Sequence, residues 1–150
     1  MLRIATSVGL MTALATQAWS SDSHNHVTMI NGKPLPVEPY PLQDVTVMLD
    51  TVDSTGNRLV ITKGTRMAGT RAVIHIHEYG GHTCVMNGEI TIYMEGSEPA
   101  KKLGGTCYYM PPNVHMSATN LGQEDVVLID TFTLPPKVDT LTPLEEYPGD

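Results

Sequence analysis

A chain of 150 residues with 13 glycines, 11 prolines and two cysteines has room for one domain and one core. Its 16 acidic against 9 basic side chains give a formal charge of −7, and Lys101-Lys102 is the one basic pair. Nucleic acid and anionic membrane surfaces, which need clustered Lys and Arg, are poor partners for such a chain.

The first twenty residues, MLRIATSVGLMTALATQAWS, carry a single positive charge at Arg3, no acid, and an Ala-rich apolar run ending in Ala18-Trp19-Ser20. That is the layout of a secretory signal peptide cut before Ser21. The run is too short and too interrupted by Thr and Ser for stable membrane insertion. Residues 1–20 are therefore expected to be removed, leaving a periplasmic or secreted protein without tryptophan. Cys84 and Cys107 are expected to pair in that oxidising compartment. The alternative is a free Cys84 near a metal.

Residues 21–44 hold Pro34, Pro36, Pro39 and Pro41 and read as an extended arm, because each proline restricts its own φ and the residue before it. His24 and His26 read as solvated residues of that arm. From there strand signals recur: Val45 to Thr51, Arg58 to Thr62, Arg71 to His77, Thr83 to Asn87, Glu89 to Met94, Cys107 to Met110, Val114 to Thr119 and Asp125 to Thr133. Asn87-Gly88 is a signal for a type I′ hairpin turn. No segment has sustained helical periodicity. The pattern predicts one all-β barrel over 45–134, followed by a Pro-rich acidic tail over 135–150.

Three of the six histidines lie within eight residues, at His75, His77 and His82. On a strand, His75 and His77 point to one face. A reversal at Glu78-Tyr79-Gly80-Gly81 is expected to bring His82 back beside them. Three neutral imidazoles on rigid strands suit a divalent transition metal, with iron, manganese, copper, nickel and zinc all compatible. Nearby groups with useful chemistry are Glu78, a candidate general base, and Tyr109, a candidate donor to a bound oxyanion. Tyr79, Cys84 and Tyr108 are further neighbours.

The spacing Gly69, five residues, His75-x-His77, then His82 and Gly88 resembles the first motif of the cupin superfamily. In that motif a glutamate stands where this chain has His82. Gly105, Pro111-x-Asn113 and Asn120 resemble the second motif, with Asn113 in place of a glycine and able to take the same left-handed turn. Ungapped, the last ligand position falls on Met116, and His115 is one residue early. A one-residue slip turns a strand side chain to the opposite face, so His115 and Met116 remain alternatives. The resemblance implies a double-stranded β-helix (jelly roll), a homodimer, and a small-molecule ligand or substrate at one mononuclear metal. A dioxygenase-like oxidoreductase is one implied function, and a non-catalytic metal or small-ligand binding module of the cell envelope is the other.

Overall fold

The computed structural model describes residues 26–149; the expected signal peptide and His24 lie outside the described residues. The described residues are all β, with no helix long and apolar enough to cross a membrane. Fourteen strands follow in chain order. The first three are β1 (Met29–Ile30), β2 (Lys33–Pro34) and β3 (Glu38–Pro39), then come two long strands, β4 (Gln43–Val52) and β5 (Arg58–Arg66). Next are β6 (Thr70–Arg71), β7 (His75–Ile76), β8 (Gly81–Val85), β9 (Glu89–Met94) and β10 (Ala100–Leu103). The last four are β11 (Thr106–Met110), β12 (Met116–Thr119), β13 (Val126–Leu134) and β14 (Thr142–Pro143).

Two sheets face each other. One runs β10-β9-β12-β6-β3, with β7 attached to β12 and β14 to β7; the other runs β11-β8-β13-β5-β4, and β1 and β2 form a separate pair. Their inner faces enclose a core of Val85, Ile90, Ile92, Tyr108, Met110, Met116, Ala118, Val126, Leu128, Phe132 and Leu134. On β13 the buried positions are Val126, Leu128, Phe132 and Leu134, the period-2 phase of a strand with one face on the core.

Two turns differ from expectation, for one reason. Glu78 to Gly80 and Asn87-Gly88 both lead from a strand of one sheet to a strand of the other, so neither closes a hairpin. At the second turn only Gly88 has a positive φ (61°), which excludes type I′. Asn87 is held from its side chain instead: Nδ2 donates to the Asp125 carbonyl at 2.9 Å and Oδ1 accepts from Val127 N at 2.9 Å.

The two flanking segments are stitched to the barrel. β3 pairs in parallel with β6, and Asn31 donates to the carbonyls of Met94 and Ser97. At the other end β14 pairs with β7, the strand that carries His75. Cys84 and Cys107 are directly opposed on β8 and β11 and form a disulfide.

Candidate metal centre

β7 is only two residues long, wedged between β12 and β14, and the buried His77 follows it directly. Alternation puts His75 and His77 on one face, as the HxH spacing predicts, and both are buried. Their rings meet edge to face with centroids 4.8 Å apart, and their Nε2 atoms are 3.2 Å apart. His77 also lies 5.1 Å from the Phe132 ring. That approach needs Gly81, because a Cβ there would stand 2.6 Å from Phe132.

Each imidazole spends its other nitrogen on a carbonyl. His75 Nδ1 is 2.7 Å from the Val73 oxygen, and His77 Nδ1 is 2.6 Å from the Thr140 oxygen. A carbonyl only accepts, so both Nδ1 atoms carry the proton. Burial, then the neighbouring His77, drives the His75 imidazole down to about 4, against the pull of the Val73 carbonyl. Burial lowers His77 too, against the Thr140 carbonyl. Both rings are then neutral near pH 7. Two lone pairs face each other with no proton between them. A cation or a proton between them would stabilise such a pair.

A metal ion fits this donor set. Two nitrogens each about 2.1 Å from one ion stand about 3.0 Å apart at a right angle and about 3.4 Å at a tetrahedral one. Nδ1–H bonded to a carbonyl is also the usual outer partner of a metal-binding histidine.

The third and fourth ligands expected from the sequence do not join. Among the described residues no group of three or more His, Cys, Asp and Glu side chains converges. His82 is exposed on β8, where Thr83 and Val85 take the buried phase, and its ring packs on Tyr109 at 5.2 Å. The sheet-to-sheet turn before it, rather than a hairpin, sets that phase. Cys84, two residues on, shares the outer face and is consumed by the disulfide. His115 is half-buried just before β12, while Met116 is buried directly across from His75. Of the two alternatives, Met116 is the one beside the pair, within the core cluster. Asn113 has the left-handed φ of 59° and its N–H bonds the His77 carbonyl at 2.9 Å, so the turn of the second motif braces the second histidine of the first. His26 is a surface residue, 3.6 Å from the Glu146 carboxylate.

The candidate catalytic groups also change. Glu78, Tyr79 and Tyr109 are exposed, Tyr109 on the outer face of β11 beside His82. The inward-facing tyrosine is Tyr108. Across the sheet from it run Thr83 and Asp130, in register on β8 and β13. Thr83 Oγ1 donates to Asp130 Oδ1 at 2.5 Å. Burial raises the Asp130 pKa, only partly offset by the Thr83 hydrogen bond and by Arg66. Asp130 was not singled out from the sequence. The available signal was an acid in the inward phase of β13, between Leu128 and Phe132.

A cleft of about 400 Å³ opens beside Tyr108, where the β9–β10 edge of one sheet meets β11 of the other. Ile92, Met94, Lys102 and the outer Tyr109 also line it. Ser97 and Glu98 line it as well, so its wall is mixed polar and apolar.

No family model and no curated protein matches the sequence. Solved structures do match. A double-stranded β-helix protein from Klebsiella pneumoniae aligns over 88% of this chain and 100% of its own, with 20% identity and a TM-score of 0.54. A cupin-like protein from Thermotoga maritima aligns over 71% and 85%, with 17% identity and a TM-score of 0.57. A recombinant oxalate oxidase in complex with glycolate aligns over 60% and 50%, with 19% identity and a TM-score of 0.50. At these identities the likeness establishes the fold: a cupin-type double-stranded β-helix.

Proposed function

We propose that this is an exported protein whose barrel holds one divalent transition metal on His75 and His77 and acts there on a small molecule, in an oxidoreductase, dioxygenase-like manner. The observation that carries the reading is the pair of unprotonated Nε2 atoms 3.2 Å apart, with both Nδ1 protons committed to carbonyls. Iron, manganese, copper, nickel and zinc all accept such imidazoles. When bound, the ion supplies Lewis-acid polarisation and open positions for substrate. The chain's own residues do the rest. Met116 and Phe132 keep bulk water from the pair. Asp130, its carboxyl raised above the ordinary range by burial and accepting from Thr83, replaces Glu78 and Tyr109 as the inward group able to exchange a proton with a ligand reaching the interior. The oxalate oxidase shares the fold, and its bearing on the reaction type is by analogy alone.

A two-histidine set also favours a second reading, a metal or small-ligand binding module without turnover. Elemental analysis of protein purified from its own compartment without chelator decides the metal. Near-stoichiometric metal that is lost in His77→Ala supports the site; a wild type that is empty and takes up no offered ion removes it. Oxygen uptake by the loaded protein with small hydroxy acids then separates enzyme from module.

A homodimer is part of this proposal. β4 is the edge of its sheet and is exposed along nearly its whole length, including Val45, Val47, Met48, Leu49 and Val52. An apolar open edge is covered in most soluble proteins.

A further inference from the structure

The two histidines of the pair are oriented from different places. His75 Nδ1 bonds the Val73 carbonyl, two residues away on its own segment. His77 Nδ1 bonds the Thr140 carbonyl, 63 residues on, beyond the last long strand of the barrel. Thr140 opens a short run that is fastened to β7 and to the residues before it. Thr142 pairs with Ile76 and Pro143 with His75, and Leu144 N donates to the Ile74 carbonyl at 2.8 Å.

The fastening ends in Glu145. Its Oε2 accepts from Arg71 Nη1 at 2.5 Å and from Ile74 N at 2.8 Å, and its Oε1 accepts from Arg71 Nη2 at 2.6 Å. The paired side chains are largely buried, with exposures of 8% for Arg71 and 13% for Glu145. Arg71 is itself braced by the carbonyls of Val37 and Ala72. A two-pronged carboxylate–guanidinium contact of this kind fixes orientation as well as position.

We infer that residues 140–145 form a strap belonging to the histidine site, with Glu145 as a positioning residue that keeps the Thr140 carbonyl on His77 and so keeps both Nε2 lone pairs free. The alternative state of the pair explains why this is needed. Released from Thr140, a neutral His77 can carry its proton on Nε2 instead. That proton then points at His75 Nε2, and the 3.2 Å separation becomes an ordinary hydrogen bond. The pair is closed to a cation without any ring moving far. The strap prevents this by giving the His77 proton a better-placed acceptor.

The consequence for metal binding rests on the function proposed above; the tautomer does not. The test therefore reads both, in the full chain. Long-range ¹⁵N–¹H spectra of metal-free protein at neutral pH assign the tautomer of each histidine. Cobalt(II) titration, followed by its visible absorption, reads affinity. In the wild type both His75 and His77 are expected as Nδ1–H. In Glu145→Ala, His77 shifts toward Nε2–H while His75 Nδ1 stays on Val73, and cobalt affinity falls by about 10–100-fold. Glu145→Gln, which keeps an acceptor for Ile74 N, falls between the two. If Glu145→Ala does not fold, Glu145→Gln alone carries the test by the same shift. Unchanged His77 tautomer and affinity within twofold, with only a lower Tm, overturn the strap and leave Glu145 a packing contact. A wild type that binds no cobalt, with the His77 shift still present in the variants, supports the strap while removing the metal reading.

Discussion

Two histidines of this barrel each lie against an aromatic ring at nearly the same distance, His77 on Phe132 at 5.1 Å and His82 on Tyr109 at 5.2 Å. They belong to one short motif and are separated by one sheet-to-sheet turn. Yet His77 is buried, its Nδ1 is tied to a carbonyl and its Nε2 faces a second imidazole, whereas His82 lies on the outer face of β8. Ring stacking is common to both and so distinguishes nothing. What separates a candidate ligand from a surface histidine is an anchored second nitrogen and a converging neighbour.

The comparison breaks most directly at the metal. His77→Ala is expected to lower cobalt or zinc affinity by more than about 100-fold, because it removes one of the two proposed ligands, while His82→Ala changes it less than about twofold. Calorimetric titration of both variants checks this. Equal losses would return His82 to the site.

Acid sharpens the same contrast in the metal-free protein. The folded-state pKa of His75 lies below its unfolded value near 6.5, at about 4. Between those values the unfolded chain binds a proton that the folded one does not, so stability is full above the upper limit and falls as pH drops toward the lower. The loss is of order 3 kcal/mol across that window. Urea unfolding at several pH values measures it. A His75→Gln variant is expected to lose most of this slope, and His82→Gln is expected to keep it.

The outer face has its own stabilising device. The disulfide closes a separation of 23 residues, and removing it as Cys84→Ser with Cys107→Ser is expected to cost about 3 kcal/mol with metal affinity unchanged. A matching loss of metal would mean that the two faces of β8 are coupled. Gly81→Ala acts on the inner side, since the new methyl meets Phe132, and is expected to cost about 1–3 kcal/mol and to disturb the His77 ring. Thermal unfolding and the His77 NMR signals report it. The smallest effect is expected from Val47→Lys on the open edge of β4: monomer stability nearly unchanged, and a dimer, where present, shifted toward monomer in light scattering.

Much of this could be read from residue types and spacing. Period-2 runs between Gly, Pro and Asn turns predict an all-β barrel, because strand side chains alternate and turns need residues that tolerate unusual φ. HxH within such a run puts two imidazoles on one face. Asn113 substitutes for glycine because it accepts a left-handed φ, and two cysteines in a chain expected to be exported are expected to pair.

Tertiary structure decided the rest. Whether the chain folds back into the same sheet or crosses to the facing one sets the parity of every later side chain, and local sequence does not encode that choice. His82 and Tyr109 therefore lie outside, Asp130 and Tyr108 inside, and Asn87-Gly88 bridges two sheets. The carbonyl that holds His77 comes from Thr140, on a segment that reads locally as a proline-rich tail. Its place on β7 depends on Arg71 meeting Glu145, a contact between residues 74 positions apart. Periodicity is local and therefore legible; packing across sheets joins residues far apart in the chain, and only the folded molecule brings them together.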